Sequence, residues 1–139
     1  MRIFLDTNVL VSAFAARGLC ADVLRFVLTE HTLVTGEVVI RELRRALQRR
    51  LKLPSELIES IEEFLREYEV VPKPPAPAEV EVRDPDDRWV LASAVAARVD
   101  VLVTGDHDLL DLGSNAPLRI VDPRGFWTLT RKKKPPRSR

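Results

Sequence analysis

Acidic residues recur in this chain where an apolar run gives way to a turn. Ile3-Phe4-Leu5 leads into Asp6-Thr7-Asn8, and Val101-Leu102-Val103 leads into Thr104-Gly105-Asp106-His107-Asp108. Two more acids stand near helix starts, Glu42 in one stretch and Asp87 in the run Asp84-Pro85-Asp86-Asp87. Brought together, such carboxylates make an oxygen-only site, which suits Mg²⁺ or Mn²⁺ rather than zinc. A sulfur- or imidazole-rich site is excluded, because the chain has one cysteine, Cys20, and two histidines, His31 and His107. Gathering acids has a cost. Two unit charges about 4 Å apart repel by roughly 4 kcal/mol at an effective dielectric of about 20. Without a cation some of the groups take up protons. Mg²⁺ keeps several waters, and one of them can attack a phosphate while the ion takes up charge. Two ions about 3.5–4 Å apart would divide those tasks. Asn8 and Thr104 read as supports that orient ligands or metal-bound water.

Each acid also has a plain local explanation. Asp6 or Thr7 can cap the helix that follows. Glu42 can pair with Arg45 at i,i+3, for only about 0.2–0.5 kcal/mol. It is the only acid between residues 41 and 52, among Arg41, Arg44, Arg45, Arg49, Arg50 and Lys52. By helical spacing Glu42, Arg45 and Arg49 share a face with Ala46, so the face could offer a carboxylate to metal and guanidiniums to phosphate. Asp84 as N-cap, Pro85 at the first helical position and Asp86 in the first turn make a standard helix start. Asp87 lies one turn in and is placed to face the sheet instead. Asp106 or Asp108 can cap the short turn at Leu109-Leu110, and His107 between them reads as a surface residue. These readings account for the acids singly. They leave unexplained why acids stand at both strand ends and at two helix starts.

The elements that must position them follow from periodicity. A strand over residues 2–5 leads into a helix over 7–16, which Arg17-Gly18 breaks. Leu19–Glu30 is a second helix, and Thr32–Thr35 a β-prone run. A helix after Gly36 runs to about Lys52, with Ile40, Leu43, Leu47 and Leu51 as its apolar stripe. Another starts at Pro54-Ser55 and carries Leu57, Ile58, Ile61, Phe64, Leu65 and Tyr68. Val70-Val71 reads as a short edge strand. The prolines of Pro72–Pro77 exclude helix and central strand and leave an extended connection within the domain. A helix spans Pro85–Arg98, and Val101–Thr104 is a strand apolar enough to be buried on both faces. A short helix reaches Leu110, Leu118–Val121 is a last strand, and Pro123–Trp127 packs the end. Strands alternating with helices imply an α/β fold of three layers, with a mostly parallel sheet covered on both faces. Ligands bind such sheets at the carboxyl ends of strands, where the strand order reverses.

A length of 139 residues with 45% hydrophobic content suits one domain with a real core. No apolar run is long enough to cross a membrane. The early Asp6 and Asn8 break any secretory leader. A cytoplasmic protein without disulfides is the expectation. The net charge of +1 hides an asymmetry: residues 131–139 hold six basic residues and no acid, which leaves a body of −5. The expected division is a domain over 1–130 and a basic, disordered tail over 131–139, which could hold nucleic acid electrostatically or simply aid solubility.

With these motifs in view, the chain resembles the PIN-domain family, and in particular the toxin components of bacterial and archaeal toxin–antitoxin pairs. The likeness covers about residues 2–126. It rests on L-D-T-N-V-L-V-S-A at Leu5–Ala13, I-R-E-L around Glu42, D-P-D-D-R-W-V-L-A-S-A at Asp84–Ala94 and L-V-T-G-D-H-D-L-L at Leu102–Leu110. The resemblance implies Asp6, Glu42, Asp87 and Asp106 as catalytic metal ligands, with Asp108 a candidate fifth. Asp87 is preferred to Asp86 by its spacing to V-L-A-S-A. It also implies strand order 3-2-1-4-5, Mg²⁺- or Mn²⁺-dependent cleavage of RNA, a homodimer, and a cognate antitoxin. The basic tail and the long proline stretch lie outside that pattern.

Other classes fit less well. Haloacid-dehalogenase-like phosphatases want a second aspartate two residues after the first, where this chain has Asn8. Receiver domains want a lysine after a late strand, and none lies between Asp100 and Arg119. No G-x-G-x-x-G or P-loop is present. The non-enzymatic alternative is a catalytically idle module of the same fold that binds RNA or antitoxin.

Overall fold

The computed structural model describes residues 1–133. Its centre is a five-stranded parallel sheet in the order β3-β2-β1-β4-β5. The strands are β1 (Arg2–Leu5), β2 (Thr32–Gly36), β3 (Glu69–Val71), β4 (Val101–Val103) and β5 (Arg119–Val121). Helices α1 (Thr7–Ala15), α2 (Leu19–Glu30), α3 (Glu37–Arg49), α4 (Ser55–Leu65), α5 (Pro85–Ala96), α6 (His107–Leu110) and α7 (Pro123–Lys133) connect and cover them. This is the α/β architecture and the strand order expected.

Burial follows composition. Ile3, Phe4 and Leu5 of β1 and Leu102 and Val103 of β4 are fully buried, as strands covered on both faces require. On α3, Val39, Ile40, Leu43, Ala46 and Leu47 are buried while Arg41, Arg45 and Arg49 face solvent. That alternation is an amphipathic stripe at helical period. Gly36 stands at the end of β2 because space there is short. A Cβ would meet a Val71 methyl carbon at 3.2 Å and the Ser93 Cβ at 3.4 Å. The site is positioned by the pairing of the two central strands. Leu5 lies opposite Val103, and the Asp6 amide donates to the Val103 carbonyl at 2.9 Å. The order reverses between β1 and β4, so their carboxyl ends form the switch point.

Pro123–Trp127 packs the end, and it does so as the start of α7, which runs on to Lys133. Its sequence opens Asp122-Pro123, the same pairing that starts α5 at Asp84-Pro85. The Asp122 carboxylate accepts from the Gly125 amide at 2.6 Å and satisfies the helix start. Burial then decides: Phe126 is fully buried, and Phe126 and Trp127 meet Phe26 of α2 at ring separations of 6.4 and 5.6 Å. The boundary expected at residue 131 thus falls within α7, and residues 134–139 of the expected tail lie outside the described residues. Among the described residues no helix is long and apolar enough to cross a membrane.

Candidate metal centre

At the end of β1 the chain turns directly into α1, and Asp6 is both the cap of that helix and a buried acid. Its carboxylate accepts from the Thr7 amide at 2.7 Å, from the Thr104 hydroxyl at 2.7 Å and from the Asn8 amide nitrogen at 3.4 Å. Only 3% of Asp6 is exposed. Burial pushes its carboxyl upward, against the Thr104 and Thr7 donors, and the Asp106 charge adds to the rise. The capping role and the acidic role coincide in one residue.

The end of β4 is tied to the same point. The Thr104 hydroxyl donates to Asp6 and accepts from the Asp106 amide at 3.0 Å. The Asn8 side-chain oxygen accepts from the Gly105 amide at 2.9 Å, while its nitrogen lies 3.4 Å from the Thr104 hydroxyl. Asn8 and Thr104 therefore lash the two strand ends together. Gly105 itself has no left-handed φ, and a Cβ there would lie 3.4 Å from the Asn8 oxygen, an ordinary contact. The turn does not depend on glycine for its conformation.

Asp84 caps α5 by accepting from the Asp86 amide at 2.9 Å, with Pro85 at the first position. Asp86 is exposed, and Asp87, the next residue, turns inward. One oxygen from each of Asp87, Asp106 and Asp108 lies within 4.8 Å of the other two. Asp87 is buried, and its Oδ2 has no hydrogen-bond partner. Burial first, then the hydrogen bond to Asp106 and the Asp106 charge, push the Asp87 carboxyl up to about 8. Asp106 also caps α6, accepting from the Asp108 amide at 2.9 Å. Asp108 is paired with Arg83 at 3.1 Å. His107 is exposed.

Glu42 reaches the site from α3. It makes no ion pair with Arg45 among the described residues. Its Oε2 instead accepts from the Thr7 hydroxyl at 3.1 Å. Burial pushes the Glu42 carboxyl up to about 7, with the Asp6 charge adding to the rise. The five acids form one electrostatic cluster, but they are not equally close. Asp87, Asp106 and Asp108 make the tight trio, and Asp6 and Glu42 flank it on protein donors. The donor set is all oxygen, one buried oxygen lacks a partner and two carboxyls are held far above their usual range. These are the marks of a site that a hard divalent cation would complete.

The basic residues divide. Arg44 is committed to Glu59 and Glu62, at 2.9 and 2.6 Å. Arg45 lies with Glu42 in a groove of about 250 Å³ between α3 and α5, shared with Arg41, Asp86 and Trp89. Arg45 also borders a second concavity, on the α4 side, with Arg49, Gln48, Leu53 and Ile58. Thr7, which holds Glu42, was legible only as a helix cap. Arg83 and Trp89 carried no signal beyond their place beside the acidic run.

Comparison with known proteins places this geometry. A family model described as PIN domain matches residues 2–108, and the chain belongs to that family. No curated protein sequence matches it. Among solved structures it is similar to VapBC-1 from nontypeable Haemophilus influenzae, with a TM-score of 0.61 at 19% identity, over 89% of this chain and 99% of that one. VapBC2 from Rickettsia felis, bound to a DNA fragment from their promoter, gives a TM-score of 0.60 at 16% identity, over 88% and 98%. FitAcB from Neisseria gonorrhoeae gives 0.55 at 18% identity, over 88% and 98%. At these identities the likeness is one of fold.

Proposed function

We propose that this chain is a divalent-metal-dependent endoribonuclease, the toxin of a toxin–antitoxin pair. The observation that carries the reading is the convergence of Asp87, Asp106 and Asp108 at the switch point, with a buried Asp87 oxygen left without a partner. Asp6, Glu42, Asp87 and Asp106 are the proposed catalytic ligands, with Asp108 beside them. The ion is Mg²⁺ or Mn²⁺, which when bound supplies a water of lowered pKa and positive charge for the phosphodiester oxygens. The protein's own part is preparation. Asp87 and Glu42 release protons to receive the ion. Thr104 and Asn8 hold Asp6 in one orientation, and Arg45 meets a phosphate beside Glu42. The RNA substrate, the homodimer and the cognate antitoxin rest on the family likeness; the similar structures named VapBC and FitAcB support the antitoxin.

The test is a metal-titrated digest of RNA by purified protein. Wild type is expected to cleave with Mg²⁺ or Mn²⁺ and to stop with chelator. Asp6→Asn is expected to fold and to lose cleavage by at least about a hundredfold, an effect of the size seen when a group that stabilises transition-state charge is removed. Equal cleavage by Asp6→Asn would remove the catalytic assignment. Metal-independent RNA binding with no cleavage at any metal concentration would return the chain to a binding module.

A further inference from the structure

The groove between α3 and α5 adjoins the acidic centre through Glu42, yet none of the chemistry above uses its aromatic wall. Trp89 forms that wall, half-buried on α5 one turn beyond Asp86. Across from it stand Arg41 and Arg45 of α3. Neither makes a hydrogen bond or ion pair with another described residue, unlike Arg44 and Arg66 nearby. Glu37, also on the groove, is committed to Arg66 through two contacts at 2.8 and 2.9 Å. Arg66 answers most of its charge and Arg41 adds to that, so Arg45 is the guanidinium freest to meet an anion, with the exposed Asp86 on the facing wall. The exposed Lys73 sits over the indole, 4.4 Å from the ring centroid. Such a cation–π contact is weak at an exposed site. A flat group can take its place and leave the ammonium for a phosphate. A π-face, two guanidiniums with no hydrogen bond or ion pair to a described residue and an exposed ammonium around about 250 Å³ match one nucleotide of a single strand.

Resting on the nuclease reading, we propose that this groove is a nucleotide subsite of the acidic centre. One unpaired RNA base stacks on Trp89, and its phosphate lies on Arg41 and Arg45. The substrate class is then single-stranded RNA, or a loop whose base can leave its stack, since a paired base offers no free face. Trp89 is a positioning residue: it sets where the chain lies relative to the acids and touches no reacting atom.

The test uses the full chain carrying Asp6→Asn, so that binding is read without cleavage. Trp127→Phe is added, leaving Trp89 as the only fluorophore of its kind. Titration with a short single-stranded RNA should quench Trp89 and saturate. Read by anisotropy of a labelled RNA, Trp89→Ala in the Asp6→Asn background should weaken binding by about tenfold or more, the scale of losing one base–aromatic stack. Trp89→Phe should restore most of it. A scan of single abasic positions should find one that weakens binding to the Trp89 protein but not to Trp89→Ala. Binding unchanged by Trp89→Ala, or an abasic penalty identical in both proteins, overturns the subsite. Wild type assayed in parallel separates the failures. Cleavage with an inert Trp89 sinks the subsite alone, whereas neither cleavage nor RNA binding sinks the nuclease reading with it.

Discussion

Asp87 and Glu42 show how a residue's ordinary chemistry is bent by where it sits. Both carboxyls are raised, to about 8 and about 7, with burial as the first cause. A folded state that holds protons the unfolded chain releases loses stability as pH rises. For these two groups the contribution is complete below about pH 4 and is lost as pH climbs through 7 and 8. The Tm of metal-free protein is therefore expected to fall between about pH 5 and pH 8, and Mg²⁺ or Mn²⁺ to reverse the fall. Because the ion competes with these protons, its apparent affinity should rise over the same interval. A calorimetric series with and without metal checks both, and a flat metal-free profile would contradict the burial argument. Thr104 belongs to the same scale. Its hydroxyl serves Asp6 and the Asp106 amide together. Thr104→Val should cost about 1–3 kcal/mol in urea denaturation, since a buried acceptor loses its donor. It should also weaken metal binding about 10- to 100-fold, as loss of a ligand's support does. A loss of stability with metal affinity intact would make Thr104 purely structural.

At the scale of elements, two helix starts and two strand ends do the positioning. α5 begins with a capped turn in which Asp84 takes the Asp86 amide, and this sets which of two adjacent aspartates turns inward. The sequence placed Asp86 in the first turn and Asp87 toward the sheet, and the exposed Asp86 and buried Asp87 agree with that. Asp84→Ala should lower stability by about 0.5–2 kcal/mol, the usual value of an N-cap. Cleavage is expected to stay within a few-fold, because Asp84 caps and does not ligate. Loss of activity on the scale of Asp6→Asn would place Asp84 in the site. α7 is the element whose extent the sequence left open. Asp122 and Pro123 start it as Asp84 and Pro85 start α5, only Gly125 weakens its first turn, and the packing of Phe126 and Trp127 on Phe26 holds it against α2.

For the whole molecule, charge is distributed against the site. The acids are drawn inward around the switch point, and the basic residues of α3 are laid along one outer face. Not all of them serve the same surface. Arg45 borders both the groove beside Glu42 and the concavity toward α4, while Arg49 borders only the second. RNA affinity should fall with salt, and Arg45→Ala should reduce the log–log slope by about 0.7, the release of one counterion from a single strand. Arg49→Ala should change the slope less. Equal effects would mean that the phosphate chain runs along the whole of α3 rather than through the groove.

The sequence by itself determined the alternation of strands and helices, the apolar central strands and the acids that end them. These are local properties, set by periodicity and by which residues cap a helix. The order 3-2-1-4-5 came with the family likeness, and the parallel pairing of β1 with β4 bears it out. Only the tertiary structure decided which acids meet. The tight trio takes Asp108, which the sequence left as a fifth candidate, while Asp6 and Glu42 spend their oxygens on Thr104, Thr7 and Asn8. The groove that sets Trp89 beside Arg41 and Arg45 was equally invisible. It joins α3 to α5 across more than thirty residues of chain, and no spacing rule reaches that far. Burial, the feature that moves Asp87 and Glu42 off their ordinary titration, likewise depends on neighbours brought in from all parts of the chain.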